Sequence, residues 1–296
     1  MKTVLVTGSN GLLGQALISL YLKSNEHLLI ATSSGENRFP VNEGYTYYNM
    51  DITSKEEVNK VFEQCRPDVV INTAAMTNVD ACEENKEKCW QINVKGVQNL
   101  LSACSVETHF IHLSTDFVFD GKSGPYIETD LPNPQSIYAE SKLASEELVK
   151  NAGLKNWAIA RTIIVYGKGH QLSRSNIVLW AIESLNKNET LNIVDDQFRS
   201  PTWAPDLAQG CFLIEKNTAT GIFHISGPET YSMYEMISRI TKYLNKPESL
   251  IKAVKTDSLN RPAPRPPKTG FIIDKARQEL GYQPHSLEES LKIIIK

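Results

Sequence analysis

Charge of one sign is missing from this sequence: 31 Lys and Arg stand against 34 Asp and Glu, a formal net charge of −3. Such a balance offers no electrostatic footprint for a phosphate backbone or an anionic membrane surface, so a nucleic-acid partner is not expected. Long apolar runs are missing too. The stretch 177–182 is far too short for a bilayer-spanning helix, which takes about 20 apolar residues, so no membrane partner is expected either. Cysteine is sparse, with five residues (Cys65, Cys82, Cys89, Cys104 and Cys211) and no C-x-x-C pair. An odd count without paired spacing argues against a disulfide framework and against a zinc site. The expectation is a reduced, cytoplasmic protein with no metal. The opening residues lack the apolar core and small-residue cleavage site of a secretory leader. No internal repeat, low-complexity segment or Gly/Ser-rich linker interrupts the chain.

What remains has the composition of an ordinary globular protein, 41 % hydrophobic and 22 % charged over 296 residues. The first half alternates short apolar strands (3–7, 28–32, 45–49, 69–72, 110–114, 158–162) with helical stretches (12–22, 55–64, 86–103, 138–150). Runs such as Val4-Leu5-Val6 and Val69-Val70-Ile71 are continuously apolar, as strands buried on both faces require. This alternation predicts an α/β fold, a Rossmann-type doubly wound parallel sheet. Beyond residue 167 the rhythm changes, with helices near 176–184, 205–214 and 231–243 and a strand at 221–225. The Pro-rich stretch from Arg261 to Pro267 can be neither regular helix nor central strand, so it reads as a loop. Two short helices follow it. The expected division is a nucleotide-binding domain over 1–167, completed by about 203–228, and a smaller α/β substrate-binding region over 168–202 and 229–296.

Gly8-Ser9-Asn10-Gly11-Leu12-Leu13-Gly14 joins the first strand to the first helix. Glycines here permit a tight turn and let backbone approach a pyrophosphate seated on the helix N-terminus. The spacing is G-x-x-G-x-x-G rather than the G-x-G-x-x-G of other dehydrogenases. An acidic residue ending the second strand would hold an NAD ribose. This chain has Thr32-Ser33-Ser34 there, with Arg38 shortly after, a set suited to a 2′-phosphate. A solvated loop arginine is the plainer reading of Arg38. NADPH is thus the expected cofactor, with NADH as the alternative. Asp51, before Ile52, can accept from an adenine amino group or cap a turn. Thr73-Ala74-Ala75 after the fourth strand is small enough for a ribose or nicotinamide to lie against backbone, and equally ordinary in packing.

Ser114-Thr115-Asp116 ends the fifth strand, and Tyr138-Ala139-Glu140-Ser141-Lys142 opens a helix. Of the 11 tyrosines only Tyr138 has a lysine four residues on, which places both side chains on one helical face. A free phenol has a pKa near ~10, and an ammonium beside it favours the phenolate and brings it into working range. Thr115 or Ser114 can hydrogen-bond a substrate carbonyl, and Lys142 can bond the nicotinamide ribose. His109 and His112 flank this strand and read as structural.

With these motifs the chain resembles the extended short-chain dehydrogenase/reductases and, within them, the dTDP-4-dehydrorhamnose reductases. The resemblance runs nearly end to end. It is carried by the segment Val4 to Gly14, by Asn93-Val94-Lys95-Gly96-Val97-Gln98-Asn99-Leu100, and by Ser114-Thr115-Asp116-Phe117-Val118-Phe119-Asp120-Gly121. Tyr138 to Lys142, Arg161-Thr162, Val165-Tyr166-Gly167, Asp196-Gln197-Phe198 and Ser200-Pro201-Thr202 extend it. The resemblance implies Thr115, Tyr138 and Lys142 as catalytic residues. It implies cofactor contacts from Gly8, Asn10, Gly11, Leu12, Leu13, Gly14, Ser33, Ser34, Arg38, Asp51, Ile52, Thr73, Ala74, Ala75 and Asn93, with Tyr138 and Lys142. It implies substrate contacts from Thr77, Thr115, Asp116, Phe117, Gln197 and Arg265, a nucleotide-sugar substrate and a homodimer.

Three departures fall on the substrate side. Ile164 stands where the family usually has a tryptophan, Pro267-Lys268-Thr269-Gly270 replaces a polar Asn-Ser, and the segment 169–176 is longer than the usual turn. The leading expectation is reduction of a 4-keto sugar nucleotide to dTDP-L-rhamnose, with Tyr138 as proton donor. Two others stand beside it: epimerisation or dehydration of a nucleotide sugar, and a non-catalytic NADP-binding subunit resembling the regulatory subunit of methionine adenosyltransferase.

Overall fold

Strands rich in Val, Ile and Leu must be covered on both faces, and the chain meets that need by returning a helix across the sheet after almost every strand. The computed structural model describes residues 1–259 and 261–296. Its first part runs β1 (Lys2–Thr7), α1 (Leu12–Ser24), β2 (His27–Ser33), β3 (Thr46–Asn49), α2 (Lys55–Cys65) and β4 (Val69–Asn72). There follow α3 (Val79–Glu84), α4 (Lys86–Trp90), a π-helical turn (Gln91–Lys95), α5 (Gly96–Ala103) and β5 (His109–Thr115). Then come α6 (Ile137–Lys150), β6 (Asn156–Thr162), β7 (Val165–Tyr166), α7 (Ile177–Asn186) and β8 (Leu191–Val194). The remainder comprises β9 (Phe198–Arg199), β10 (Thr202–Trp203), α8 (Ala204–Lys216), β11 (Gly221–His224), β12 (Tyr231–Ser232), α9 (Met233–Tyr243), β13 (Ile251–Val254) and α10 (Leu287–Ile294).

Seven strands form one parallel sheet in the order β11-β6-β5-β4-β1-β2-β3. The chain order reverses between β1 and β4, and the crevice beyond the carboxyl ends of these strands is where such sheets take ligands. Val4, Val6, Val69, Ile71 and Ile111 face one core with Leu17 and Ile18 of α1 and Leu207 of α8. Leu5, Val70, Phe110 and Ile159 face the other, with Val58 and Phe62 of α2 and Val97 and Leu100 of α5. The expected Rossmann-type sheet is therefore present, with all six early strands in their expected places.

The helix read over 86–103 is present with a π turn inside it, and the unforeseen α3 precedes it. Asn85 ends α3 and its side chain accepts from Lys88 N to start α4, the backbone competition that Asn brings to a helix. Buried Asn93, in the π turn, accepts from Met76 N at 2.8 Å and donates to Ser141 Oγ at 2.9 Å. The strands β8 and β13 were also unforeseen. They pair in parallel with each other only, inside a third core built from Val178, Leu185, Met236, Ile240, Leu287 and Leu291. Among the described residues no helix is long and apolar enough to cross a membrane.

A buried ion pair sets the register of β5, α6 and β6. Arg161 donates to Glu146 Oε1 from Nε at 2.9 Å and to Oε2 from Nη2 at 2.7 Å, while Ser114 Oγ donates to Oε1 at 2.5 Å. Both charged side chains are essentially inaccessible, at 1 % and 0 %. Removing one partner leaves the other buried and unpaired, at a cost of ~3–5 kcal/mol. Arg161→Leu is therefore expected to lower the urea unfolding free energy by about that amount. A loss below ~1 kcal/mol, the size of an exposed pair's contribution, would show that the pair does not hold the sheet.

Candidate active site

Gly8 leaves β1 at φ +63°, a left-handed conformation that glycine adopts without steric cost. A Cβ there would lie 2.8 Å from Ala74 N. At Gly14 a Cβ would lie 2.5 Å from Gly8 O, so this glycine lets α1 rest directly on the turn. Gly11 caps α1 with no side-chain hydrogen bond. The first turn of the helix, Leu12 and Leu13, opens onto a cavity of about 720 Å³ at the crevice between β1 and β4. Unpartnered N–H groups at a helix start make an anion site. Asn10 clips the loop after β2 into place, donating to Glu36 O at 2.8 Å and accepting from Arg38 N at 2.9 Å. Across the crevice Thr73 Oγ1 donates to Thr7 O at 2.7 Å, which sets Thr73 and Ala75 on the cavity wall.

The opposite wall carries the three residues expected to be catalytic. β5 delivers Thr115 at its carboxyl end. Ser136 caps α6 by accepting from Ala139 N at 3.3 Å, so Tyr138 falls in the first turn and Lys142 one turn on. All three line the cavity. Burial pushes the Tyr138 phenol above its usual range; Asp116 and Cys82 add to this, and the Thr115 hydroxyl and Arg174 oppose it. Burial brings Lys142 down to about 8 against the pull of Glu146 and Cys89. Its Nζ lies 3.2 Å from His112 Nε2. Burial thus opposes the expected pull of Lys142 on Tyr138 toward phenolate, since desolvation disfavours charge on both groups.

Other expected residues divide. Asn10, Gly11, Leu12, Leu13, Thr73, Ala75, Thr77, Asp116 and Phe117 join the catalytic three on the wall. Asp116 is buried, accepting from Thr115 Oγ1 at 3.0 Å and from Thr269, with Arg199 Nε at 3.6 Å. Burial raises its carboxyl and Arg199 opposes the rise. Phe117 stands edge-on to Tyr138. Ser33, Ser34 and Arg38 lie off the wall around the loop that Asn10 holds, the Arg38 guanidinium donating to Gln171 O at 3.3 Å. Ala74 N is engaged by Thr7 Oγ1. Asp51 accepts from Thr53 N and Oγ1, both at 2.9 Å, which is the turn-capping arrangement. Ile52 packs under Gly96.

Three residues face elsewhere. Asn93 is consumed in the bonds to Met76 and Ser141. Gln197 donates to Thr256 Oγ1 at 2.9 Å, and Arg265 forks onto Asp80 at 2.6 and 2.7 Å. A carboxylate within reach outcompetes an open cavity for a guanidinium.

The segment 167–177, whose extra length is visible in the sequence, forms part of the site. Its Leu172 to Ile177 close one side of the cavity. Gln15 of α1 holds it by two bonds, donating to His170 O at 2.8 Å and accepting from His170 N at 2.7 Å. Arg174 donates to Thr77 Oγ1 at 2.6 Å. Arg261 and Ile164 complete the wall. Ile164 sits at φ +37°, a conformation that costs a β-branched residue dearly. Gly8→Ala is expected to cost at least ~1–2 kcal/mol of stability from backbone strain alone and to weaken NADPH binding tenfold or more by calorimetry. Unchanged affinity would show that this turn does not hold the cofactor.

The family profile described as the RmlD substrate binding domain matches residues 1–296. A dTDP-4-dehydrorhamnose reductase of Clostridium acetobutylicum superposes with a TM-score of 0.86 at 32 % identity, covering 99 % of this chain and 98 % of that one. The Bacillus anthracis dTDP-4-dehydrorhamnose reductase, solved in complex with NADP, gives 0.84 at 29 % identity with the same coverage. The spore coat polysaccharide biosynthesis protein SpsK of Bacillus subtilis is 32 % identical over 99 % of this chain and 96 % of its own. Methionine adenosyltransferase 2 subunit beta of Rattus norvegicus is 31 % identical over 90 % of this chain and 78 % of its own. The chain belongs to the RmlD substrate-binding-domain family within the extended short-chain dehydrogenase/reductases, and is an NAD(P)-dependent oxidoreductase.

Proposed function

We propose that this chain reduces a 4-keto sugar nucleotide, dTDP-4-dehydrorhamnose to dTDP-L-rhamnose, with NADPH as reductant and Tyr138 as proton donor. The observation that carries this reading is a buried phenol on one cavity wall with Thr115 and Lys142, in the same cavity as a helix start left open for an anion. The close approach at Gly8 and Gly14 and the uncapped first turn of α1 fit a dinucleotide, whose diphosphate would rest on Leu12 and Leu13. Bound there, NADPH supplies the hydride. Thr115 would hold the keto oxygen against the phenol, and Tyr138 gives that oxygen its proton. Positioning of this kind contributes up to ~7–11 kcal/mol of barrier lowering. Arg174 and Arg261 bring two guanidinium groups to the cavity wall, the chemistry that a sugar-nucleotide diphosphate requires. In this reading 1–167 and 203–228 hold the cofactor, and 168–202 and 229–296 hold the sugar. The five free cysteines agree with a cytoplasmic site of action.

A second reading, an NADP-binding regulatory subunit, is favoured by the similarity to methionine adenosyltransferase 2 subunit beta and by Ile164 on the wall where the family has tryptophan.

The deciding assay follows NADPH oxidation with the dTDP-4-keto-6-deoxy sugar generated in situ. Wild-type turnover is expected, with Tyr138→Phe slowed by ~10²–10⁴, the contribution of a positioned general acid. Binding of NADPH without turnover on any ketosugar would replace this reading with the regulatory one. Lys142 is an ammonium below about 8 and loses its charge above it, so kcat is expected to fall as pH rises through that value. A flat profile to pH 10 would show that Lys142 does not titrate in the working enzyme.

A further inference from the structure

Two of the five cysteines lie together behind the cavity wall. Cys82 on α3 and Cys89 on α4 are wholly buried, in one cluster with Tyr138 against which Val79 and Phe117 pack. A chain of short contacts joins the sulfurs. Cys82 Sγ donates to Met76 O at 3.6 Å, and the same oxygen accepts from Asn93 Nδ2 at 3.1 Å. Asn93 Nδ2 in turn reaches Cys89 Sγ at 3.5 Å. The two thiols also lie within hydrogen-bonding reach of each other. A buried thiol by itself is ordinary packing; two in contact can be joined. α3 and α4 are separated by Asn85 alone, at φ −131° and ψ 74°, outside the helical region. That single residue lets the two short helices close on each other. Val79 and Phe117 line the cavity as well, so a small molecule admitted there stands one side chain from the pair.

α3 is also where two segments that line the cavity are fastened. Thr77, just ahead of it, accepts from Arg174 of the 167–177 segment. Asp80, in its first turn, holds the Arg265 fork and accepts from Ala263 N at 3.3 Å. It thereby anchors the Pro-rich loop whose Arg261 reaches the cavity. The glycine turn is built instead on β1 and α1.

We propose that Cys82 and Cys89 form a reversible thiol–disulfide site for a small peroxide, and that closing it shifts α3 and loosens the two segments fastened there. Cys89 is the attacking sulfur, since the Cys82 thiol beside it holds it below its ordinary value against the effect of burial. Its thiolate takes one peroxide oxygen to give a sulfenic acid, and the other oxygen leaves as water once protonated. The Cys82 sulfur then displaces the sulfenic hydroxyl, which departs with the Cys82 proton as a second water. Two thiols and one hydrogen peroxide thus give one disulfide and two waters, a two-electron oxidation. Bonding brings the sulfurs well inside van der Waals contact, so α3 is drawn toward α4. Both S–H donors are lost in the process, from Met76 O at 3.6 Å and from Ser141 Oγ at 3.3 Å. A thiol reductant restores the pair, as expected of a transient disulfide in a reducing compartment.

The test treats the full chain with hydrogen peroxide, alkylates the remaining thiols and maps them by mass spectrometry. A Cys82–Cys89 disulfide that dithiothreitol reverses is expected. Amide hydrogen exchange of the oxidised chain should be faster in 167–177 and 261–267 by about tenfold, the loss of one charged hydrogen bond at each anchor. Exchange in the Gly8–Gly14 turn should stay as it is. Cys82→Ser under the same treatment should show neither the disulfide nor the faster exchange, and Cys89→Ser serves if that variant fails to fold. Oxidation of the partly exposed Cys65 and Cys104 that leaves Cys82 and Cys89 as thiols would overturn the site. A disulfide that leaves exchange in both segments unmoved would overturn the loosening. The consequence for turnover rests on the reductase reading above: oxidation should raise KM for the sugar nucleotide about tenfold and leave KM for NADPH unchanged. Absence of ketosugar turnover in the reduced chain would sink the reductase reading, while the thiol map and the exchange still judged this one.

Discussion

The Glu146–Arg161 pair is the constraint from which the site follows. Its two partners and Ser114, which donates to it, each stand next to a residue of the cavity wall: Ser114 precedes Thr115, Glu146 lies one turn beyond Lys142, and Arg161 precedes Thr162. A bidentate contact with no access to water tolerates little sliding or rotation, because any error leaves a charge unpaired in a medium that cannot solvate it. The strand that delivers Thr115 and the helix that carries Tyr138 and Lys142 are thus aligned by an interaction outside the cavity. Apolar packing alone would permit several neighbouring registers.

The same exclusion of water governs Tyr138 and Lys142. In solution an ammonium one helical turn from a phenol would be expected to promote its ionisation, which was the natural inference from the Tyr138–Lys142 spacing. Inside the protein both groups lose hydration, which raises the phenol and lowers the ammonium, against the direction that their spacing suggests. The geometry was legible from the sequence and the electrostatics of the phenol were not, because these depend on Asp116, Cys82 and Arg174, which come from three different parts of the chain.

Legibility followed the range of the interactions. Val69-Val70-Ile71 and its counterparts announce buried strands within a few residues, and the glycine turn, Ser136 cap and Tyr-Lys spacing are equally local. The break at Asn85 and the π turn around Asn93 could not be read locally, since Asn93 is held by Met76 and Ser141 from separate elements. β8 and β13 have four residues each and only each other for a partner. Arg265 was assigned to the substrate by resemblance, yet its carboxylate partner Asp80 lies 185 residues earlier in the chain. The segment 169–176 was visible as added length, and its role at the cavity depends on Gln15, a helix residue that no motif singles out.

That contact has a mechanical meaning. Gln15 joins the helix whose first turn faces the cavity to the segment that closes it, through a two-bonded clasp made with backbone atoms of His170. The floor and the roof of the cavity are thereby tied to each other. The entropy of ordering the roof is already lost in the folded chain and need not be lost again when a ligand arrives. A ligand leaving the cavity must, by the same token, wait for the clasp to part or pass around it, so the lifetime of the bound state is written into a glutamine far from any reacting atom.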